Sequence, residues 1–209
     1  FDDNFNEIEK ITKDKFKKII LWMPTFRKGG GFNRNDSLKE QKLGIPLIES
    51  LEEYISLNDK LKKMDILLII KIHPKQDLSN LGIKKLSNII VLTANDVKKL
   101  NVDNYRLMKC TDALISDYSG AAYDYLQLNK PIAYVLDDMN EYKIGFVVDD
   151  IHKLIAGQEI YNIEDMMKFI KDVSDENDIY KDKREEIKNY IYEFNDGNSC
   201  ERLAKLLKL

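Results

Sequence analysis

The chain has 209 residues, enough for one domain with a sizeable core, and its hydrophobic content of 44% and charged content of 33% are typical of a folded globular protein. A formal net charge of −3 gives no overall basic field, which argues against nucleic acid as a partner. No apolar run approaches the ~18 residues that a membrane span needs, and no signal peptide is visible.

Residues 1–18 are charged, with few apolar positions, and predict a linker or a short lead-in helix. We expect residues 19–209 to form a single domain. Residues 28–37 contain three consecutive glycines and predict a flexible loop. Short apolar runs predict strands at 19–23, 66–72, 89–92, 113–116, 131–136 and 146–148.

Helical spacing of apolar residues separates several of these runs. It predicts one helix over 47–61, with Pro46 in its first turn, and another over 97–108. Beyond residue 160 the spacing predicts three helices, around 163–170, 187–194 and 203–207. Strands that alternate with helices form right-handed βαβ units. We therefore predict an α/β fold, a doubly wound, Rossmann-like parallel sheet of about six strands with closing C-terminal helices.

Polar residues follow two of the predicted strands directly. Strand 113–116 ends at Ser116, and Asp117 to Gly120 lead into a helical pattern. In such a turn the first free N–H groups of the helix face the carboxyl edge of the sheet, where they can bind an anion such as a diphosphate. A simpler interpretation is that Ser116 and Asp117 only cap the helix.

The second polar turn follows strand 66–72. Pro74 cannot donate to a strand ladder, so it ends the strand and leaves His73 at its carboxyl end. Open α/β sheets bind their ligands at this edge. The alternative is a structural histidine at the end of a strand.

Taken in order, these turns and several further segments resemble the CDP-glycerol glycerophosphotransferase family, which builds teichoic-acid-like polyol phosphate polymers. The order and spacing of the segments carry the resemblance. The segments are 21–27, with Pro24-Thr25-Phe26-Arg27, then 71–74, 116–119 with 124–125, 128–132, 141–142 with 145–146, and 196–197 with 201–202.

The resemblance implies the C-terminal, donor-binding half of a two-domain GT-B arrangement. The reaction would transfer glycerol phosphate or ribitol phosphate from a CDP-activated donor to a polyol phosphate or lipid-linked acceptor. A Trp-His-Gly motif of the family's N-terminal half has no equivalent here, so we expect the isolated chain to be inactive. The resemblance also implies a cytoplasmic enzyme, with peripheral membrane contact through parts outside this chain.

Residue roles follow from the same resemblance. His73 would stabilise a phosphate or act as a base, and Arg27, Ser116, Ser119 and Gly120 would hold the donor diphosphate. Thr25 would assist Arg27, Asp117 would cap the helix or orient His73, and Asp124 would contact the donor's polyol. We expect no metal and no cofactor. Two positions depart from the family pattern: Gly120 replaces a serine, and Ile144 replaces an arginine.

Two other functions stay open at this point. A nucleotide-sugar glycosyltransferase or epimerase of the GT-B type also carries a donor-binding α/β half, although its ribose-binding glutamate and late glycine turn have no counterpart here. A detached domain that binds a nucleotide or a protein without turnover is the non-enzymatic alternative. His152 has no motif around it and is interpreted as a surface residue.

Overall fold

The computed structural model describes residues 6–28, 35–79, 81–146 and 148–208. Its centre is a six-stranded, all-parallel sheet with the order β3-β2-β1-β4-β5-β6. The strands are β1 (Lys18–Trp22), β2 (Ile66–Lys71), β3 (Ile89–Leu92), β4 (Ala113–Ser116), β5 (Ile132–Val135) and β6 (Gln158–Ile160). The predicted doubly wound α/β fold is confirmed.

Strand β1 occupies the centre of the sheet, with β2 on one side and β4 on the other. The chain first winds outward to β3 and then returns across β1 to β4 and β6. The direction of winding therefore reverses between β1 and β4. The carboxyl edge beside such a switch point is where doubly wound folds bind ligands.

Helices cover both faces of the sheet. They are α1 (Glu7–Ile11), α2 (Leu51–Lys63), α3 (Ala94–Lys99), α4 (Asn104–Lys109), α5 (Ala121–Leu126), α6 (Ile163–Ser174), α7 (Lys181–Ile191) and α8 (Ser199–Leu207). One core contains buried residues of α2 and α6, such as Leu61 and Phe169. The other contains buried residues of α4, α5 and α7, such as Leu107, Tyr125 and Ile187.

The sequence predictions for two helices need correction. Helix α2 begins at Leu51, where the Ser50 side chain accepts the Glu53 N–H, so Pro46 lies outside its first turn. The single helix predicted over 97–108 is two short helices. A reciprocal cap between Thr93 and Asp96 starts α3, and the Asp103 side chain starts α4. Two strong capping sites so close together favour two separate starts.

The sixth strand is also not where the sequence predicts it. Phe146 and Val148 lie outside any strand, and Val147 lies outside the described residues. Gln158–Ile160 forms β6 instead and pairs with β5. Gly157 permits this pairing, because a Cβ there would lie 1.9 Å from the carbonyl oxygen of Ile132. A three-residue strand with polar residues gives almost no apolar signal.

The two ends of the described chain are attached differently. In α1 the buried Glu7 carboxylate accepts the N–H of Asp103, and Lys10 Nζ donates to the Asn101 carbonyl, so the lead-in helix is fastened to the α3–α4 connection. Helix α8 instead exposes Leu203, Leu206 and Leu207. Of the loop predicted over 28–37, residues 29–34 lie outside the described residues. The domain boundary at residue 18 stays a prediction.

Candidate functional site

The turns that follow β1 and β4 are joined through one carboxylate. Asp117, directly after β4, accepts the Thr25 N–H at 2.8 Å and the Thr25 hydroxyl at 2.6 Å. Thr25 lies in the turn after β1, 92 positions earlier in the chain. Asp117 therefore bridges the switch point between β1 and β4 and does not cap helix α5.

Arg27 lies in the same buried cluster, between two acids. Its Nε and Nη2 donate to the two carboxylate oxygens of Asp138 at 2.6 and 3.0 Å, and its Nη1 donates to Asp117 at 3.1 Å and to the Thr25 carbonyl at 3.0 Å. The side chains of Arg27, Asp117 and Asp138 are at most 3% exposed. Burial disfavours the charge of Asp138, but the Arg27 guanidinium more than offsets it and holds the pKa of that carboxyl below its usual range.

Aromatic side chains enclose the guanidinium. The rings of Tyr118 and Tyr142 lie 5.1 and 5.4 Å from the Arg27 guanidinium carbon, and the Tyr118 hydroxyl donates to Asp138 at 3.0 Å. Four hydrogen bonds thus occupy most of the five N–H donors of Arg27. This geometry favours a positioning role for Arg27. The sequence analysis instead assigns Arg27 to binding of the donor diphosphate.

His73 sits at the carboxyl end of β2 with a defined orientation. Its Nδ1 accepts the Lys75 N–H at 3.1 Å, and its ring packs on Phe26 with a centroid distance of 4.9 Å. Burial and the positive charges of Lys71 and Lys75 lower the pKa of His73, against the opposing effect of Asp117. A neutral ring that accepts at Nδ1 carries its proton on Nε2. His73 therefore presents an N–H donor.

The turn from Ser116 to Gly120 brings further polar groups to this edge. The Ser119 hydroxyl accepts the N–H of Ala121, the first residue of helix α5, at 3.2 Å, while Gly120 is the N-cap and offers no side chain. The Ser116 hydroxyl is fully buried and has no hydrogen-bond partner within the described residues. Both predicted hydroxyl groups therefore lie at the switch point. The Ser119 hydroxyl is hydrogen-bonded to the start of α5, and the Ser116 hydroxyl has no described partner.

Asp124 and His152 lie apart from this cluster. Asp124 is on the exposed side of α5 and lines a cavity with Tyr105, Tyr192 and Phe194, which none of the other predicted site residues line. His152 Nδ1 lies 2.9 Å from a Glu159 carboxylate oxygen, beside β6 at the sheet edge.

The described ranges contain no group of three His, Cys, Asp or Glu side chains that could hold a metal ion. Nor does that part of the chain contain a helix long and apolar enough to cross a membrane.

The family model described as CDP-Glycerol:Poly(glycerophosphate) glycerophosphotransferase matches residues 2–209. This chain belongs to that family. The resemblance carried by the ordered motifs is thereby confirmed, and the match favours a glycerophosphotransferase over a nucleotide-sugar glycosyltransferase.

Two curated teichoic acid enzymes are similar to this chain in sequence, and one solved structure is similar in fold. The chain is 28% identical to the teichoic acid glycerol-phosphate primase of Bacillus subtilis (strain 168), over 100% of this chain and 48% of the relative. It is 26% identical to the teichoic acid ribitol-phosphate polymerase TarK of Staphylococcus aureus, over 91% of this chain and 34% of TarK. The wall teichoic acid polymerase TagF shares the fold, with a TM-score of 0.64 and 20% identity over 97% of this chain and 45% of that chain.

The chain thus spans about half the length of the glycerol-phosphate primase and about a third of the length of TarK. Another TagF structure, of a variant soaked with CDPG, matches with a TM-score of 0.60 and 19% identity.

Gly120, where the sequence resemblance leads us to expect a serine, shows no backbone need for glycine. Its φ is −57°, a value that any residue adopts, and an added Cβ meets no described atom within 4 Å. A serine therefore fits here, and its absence removes one hydroxyl from the turn.

Asp138 and Tyr118 are the members of the cluster that sequence reasoning missed. Asp137 and Asp138 come shortly after the buried strand β5, at the same sheet edge as His73. Acidic residues at that position are the signal that identifies them. The partner of Asp138, however, lies 111 positions away along the chain.

Proposed function

We propose that this chain supplies the donor site for transfer of glycerol phosphate or ribitol phosphate from a CDP-activated polyol to the hydroxyl of a polymer or lipid-linked acceptor. The family match supports this reaction class, and both glycerol- and ribitol-phosphate enzymes are among the relatives. The observation that carries the proposal is the neutral His73, with its Nε2–H available, at the same sheet edge as the Ser116–Gly120 turn.

The reaction makes distinct demands on the site. The acceptor oxygen attacks the β-phosphorus, a new P–O bond forms, and the bond to the bridging oxygen breaks so that CMP leaves with the electron pair. Negative charge grows on the leaving phosphate, and donors fixed beforehand stabilise it. We assign the Nε2–H of His73 and the hydroxyls and N–H groups of the Ser116–Gly120 turn to the diphosphate.

His73 is not a suitable base in this orientation. The Lys75 N–H occupies Nδ1, and the proton on Nε2 leaves no lone pair there to accept the proton of the acceptor hydroxyl. We therefore place the base in the N-terminal half of the full-length enzyme, outside this chain. The isolated chain binds donor but does not turn it over.

The remaining roles are organisational. Thr25, Arg27 and Asp117 hold the turn after β1 against the turn after β4, so that the diphosphate donors keep their places. The polyol contact of Asp124 is the least supported assignment, because this carboxylate lines a different cavity. We propose a reaction without metal ion or cofactor, at the cytoplasmic face of the membrane, with residues 19–209 as the donor domain.

Isothermal titration of the purified chain with CDP-glycerol, CDP-ribitol, CMP, UDP and UDP-glucose tests the proposal. We expect the cytidine diphosphate polyols to bind more tightly than UDP-glucose, by roughly 1–3 kcal/mol, because a base site built for cytosine leaves polar groups unpaired against uracil. Equal or tighter binding of UDP-glucose would assign the site to nucleotide sugars instead.

A further inference from the structure

Lys71, which the residue assignments above leave without a role, is a buried cation with no partner among the described residues. It is the last residue of β2 and is 5% exposed. Its ammonium forms no hydrogen bond or ion pair with the residues that the structure describes, whereas Arg27 and Arg184 in the same domain are both paired with carboxylates. Buried charges in folded proteins are normally paired, so an unpaired ammonium indicates a place for an anion.

Strand register places Lys71 in line with Ser116. The pairings Trp22 with Ile70 and Trp22 with Ile115 make Met23 the next neighbour of both Lys71 and Ser116. Paired residues of a parallel sheet share a face, so these three side chains project to the same side. That side carries helix α5, because Leu21, Ile69 and Leu114, two positions earlier on each strand, all belong to its core.

The two unpaired polar side chains are therefore close. One strand separates β2 from β4, so the Cα atoms of Lys71 and Ser116 are about 10 Å apart. The Ser116 hydroxyl is 0% exposed and has no described partner, and the charge of Lys71 acts on His73, two positions further along the chain. A cation, a hydroxyl donor and an imidazole N–H donor thus lie at the same carboxyl edge, with Met23 between Lys71 and Ser116.

We propose that Lys71 is a phosphate-binding residue of the donor site, and that its ammonium and the Ser116 hydroxyl form a buried oxyanion subsite beneath His73. The ligand class is a phosphoanhydride, of which the subsite takes one phosphate group. The proposal rests on the proposed donor function and adds to it the charge that Arg27, held by two carboxylates, does not supply. Burial lowers the pKa of Lys71.

A purely structural Lys71 predicts different behaviour. If its methylenes only fill the core, then replacing Lys71 by methionine of similar shape changes ligand binding little. If the ammonium binds an anion, the ligand-free protein carries an uncompensated buried charge. Lys71→Met then raises the melting temperature of the ligand-free protein and weakens ligand binding.

The test titrates wild type, Lys71→Met and Ser116→Ala with inorganic pyrophosphate and with CDP-glycerol, and records each ligand-free melting temperature. Lys98→Met is the control, since it replaces an exposed lysine of helix α3 by the same residue. We expect Lys71→Met to weaken binding of both ligands about tenfold or more and Ser116→Ala about three- to tenfold, with Lys98→Met near wild type.

Each outcome has one meaning. Unchanged affinity in Lys71→Met, or a lowered melting temperature with intact binding, overturns the subsite. If Lys71→Met does not fold, Lys71→Arg, which keeps the charge, and Ser116→Ala decide, and wild-type affinity in Ser116→Ala overturns the proposal. Pyrophosphate binding that depends on Lys71, without binding of CDP-glycerol, upholds the subsite and overturns the donor function. Binding of neither ligand overturns both.

Discussion

Arg27 and Asp138 form a bidentate ion pair, with Nε–Oδ2 and Nη2–Oδ1 distances of 2.6 and 3.0 Å, between the loop after β1 and the loop after β5. Both side chains are almost completely buried. Such a pair fixes geometry well, because the planar fork of arginine matches a carboxylate in one orientation. The pair therefore orders two loops of the candidate site.

Replacement of Arg27 by lysine should lower the free energy of unfolding. Lys71 shows that a buried ammonium is tolerated in this fold, but Arg27→Lys loses the bidentate contact and leaves two buried carboxylates short of donors. We expect a loss of about 3–5 kcal/mol in the free energy of unfolding, measured by urea denaturation. Lys171→Met, which breaks an exposed pair with Asp175, is the control and should have no measurable effect. Equal stability of both variants would contradict a structural role for Arg27.

The pH dependence of His73 should reveal its environment. Its pKa is lowered in the folded protein, so the unfolded chain takes up the proton first as the pH falls. The stability that the neutral imidazole contributes is complete above about pH 6.5 and is lost as the pH falls from there through the folded pKa. NMR titration of the two histidines should place the His73 midpoint below the ordinary value. A midpoint above it would contradict the neutral donor.

Loss of the two polar side chains at the switch point should weaken donor binding. We expect His73→Ala and Ser119→Ala each to reduce CDP-glycerol affinity about tenfold or more, because each removes a donor to a charged phosphate. Ser119→Ala also loses the hydrogen bond that its hydroxyl accepts from the Ala121 N–H at the start of α5. His152→Ala should bind as wild type does. Unchanged affinity in both site variants would reduce these residues to structural turns.

A hydroxyl at position 120 should strengthen donor binding. Gly120 has an ordinary φ of −57° and open space at its Cβ, so Gly120→Ser adds a donor without strain. We expect CDP-glycerol to bind about three- to tenfold more tightly, as one further hydrogen bond allows. Calorimetry measures the change, with Gly120→Ala to separate the hydroxyl from the loss of glycine. Equal affinities for the two variants would remove this position from the site.

Gly157 should tolerate no side chain. A Cβ at this position would lie 1.9 Å from the Ile132 oxygen and 2.7 Å from its carbonyl carbon, both backbone atoms that cannot move aside. We expect Gly157→Ala to destabilise the protein by at least about 1–3 kcal/mol, with loss of the β5–β6 pairing. Gly120→Ala again serves as the control in thermal unfolding. A stable Gly157→Ala protein would mean that β6 can shift along β5.

Sequence alone predicts the parallel sheet, because β1 to β5 are apolar runs with clear ends. It does not predict β6, whose three residues include Gln158 and Glu159 and whose place depends on the close approach at Gly157. The polar turns at His73 and Ser116 are likewise visible, since each follows a strong strand.

The pairing of Arg27 is not visible in the same way. An arginine after a strand suggests a phosphate ligand, and only the folded topology brings in Asp117 and Asp138, 90 and 111 positions away. The unpaired state of Lys71 has the same origin, since burial of a strand end depends on the elements packed over it.

The hydrogen bond from the Thr25 N–H to Asp117 couples the turn after β1 to the turn after β4, so a change in one turn can be measured in the other. A ligand seated in the turn after β4 restrains Asp117, and with it an amide proton in the turn after β1. Hydrogen–deuterium exchange at Thr25 should therefore slow when the donor binds. Such protection gives a readout of occupancy that needs no acceptor, no turnover and no label on the nucleotide.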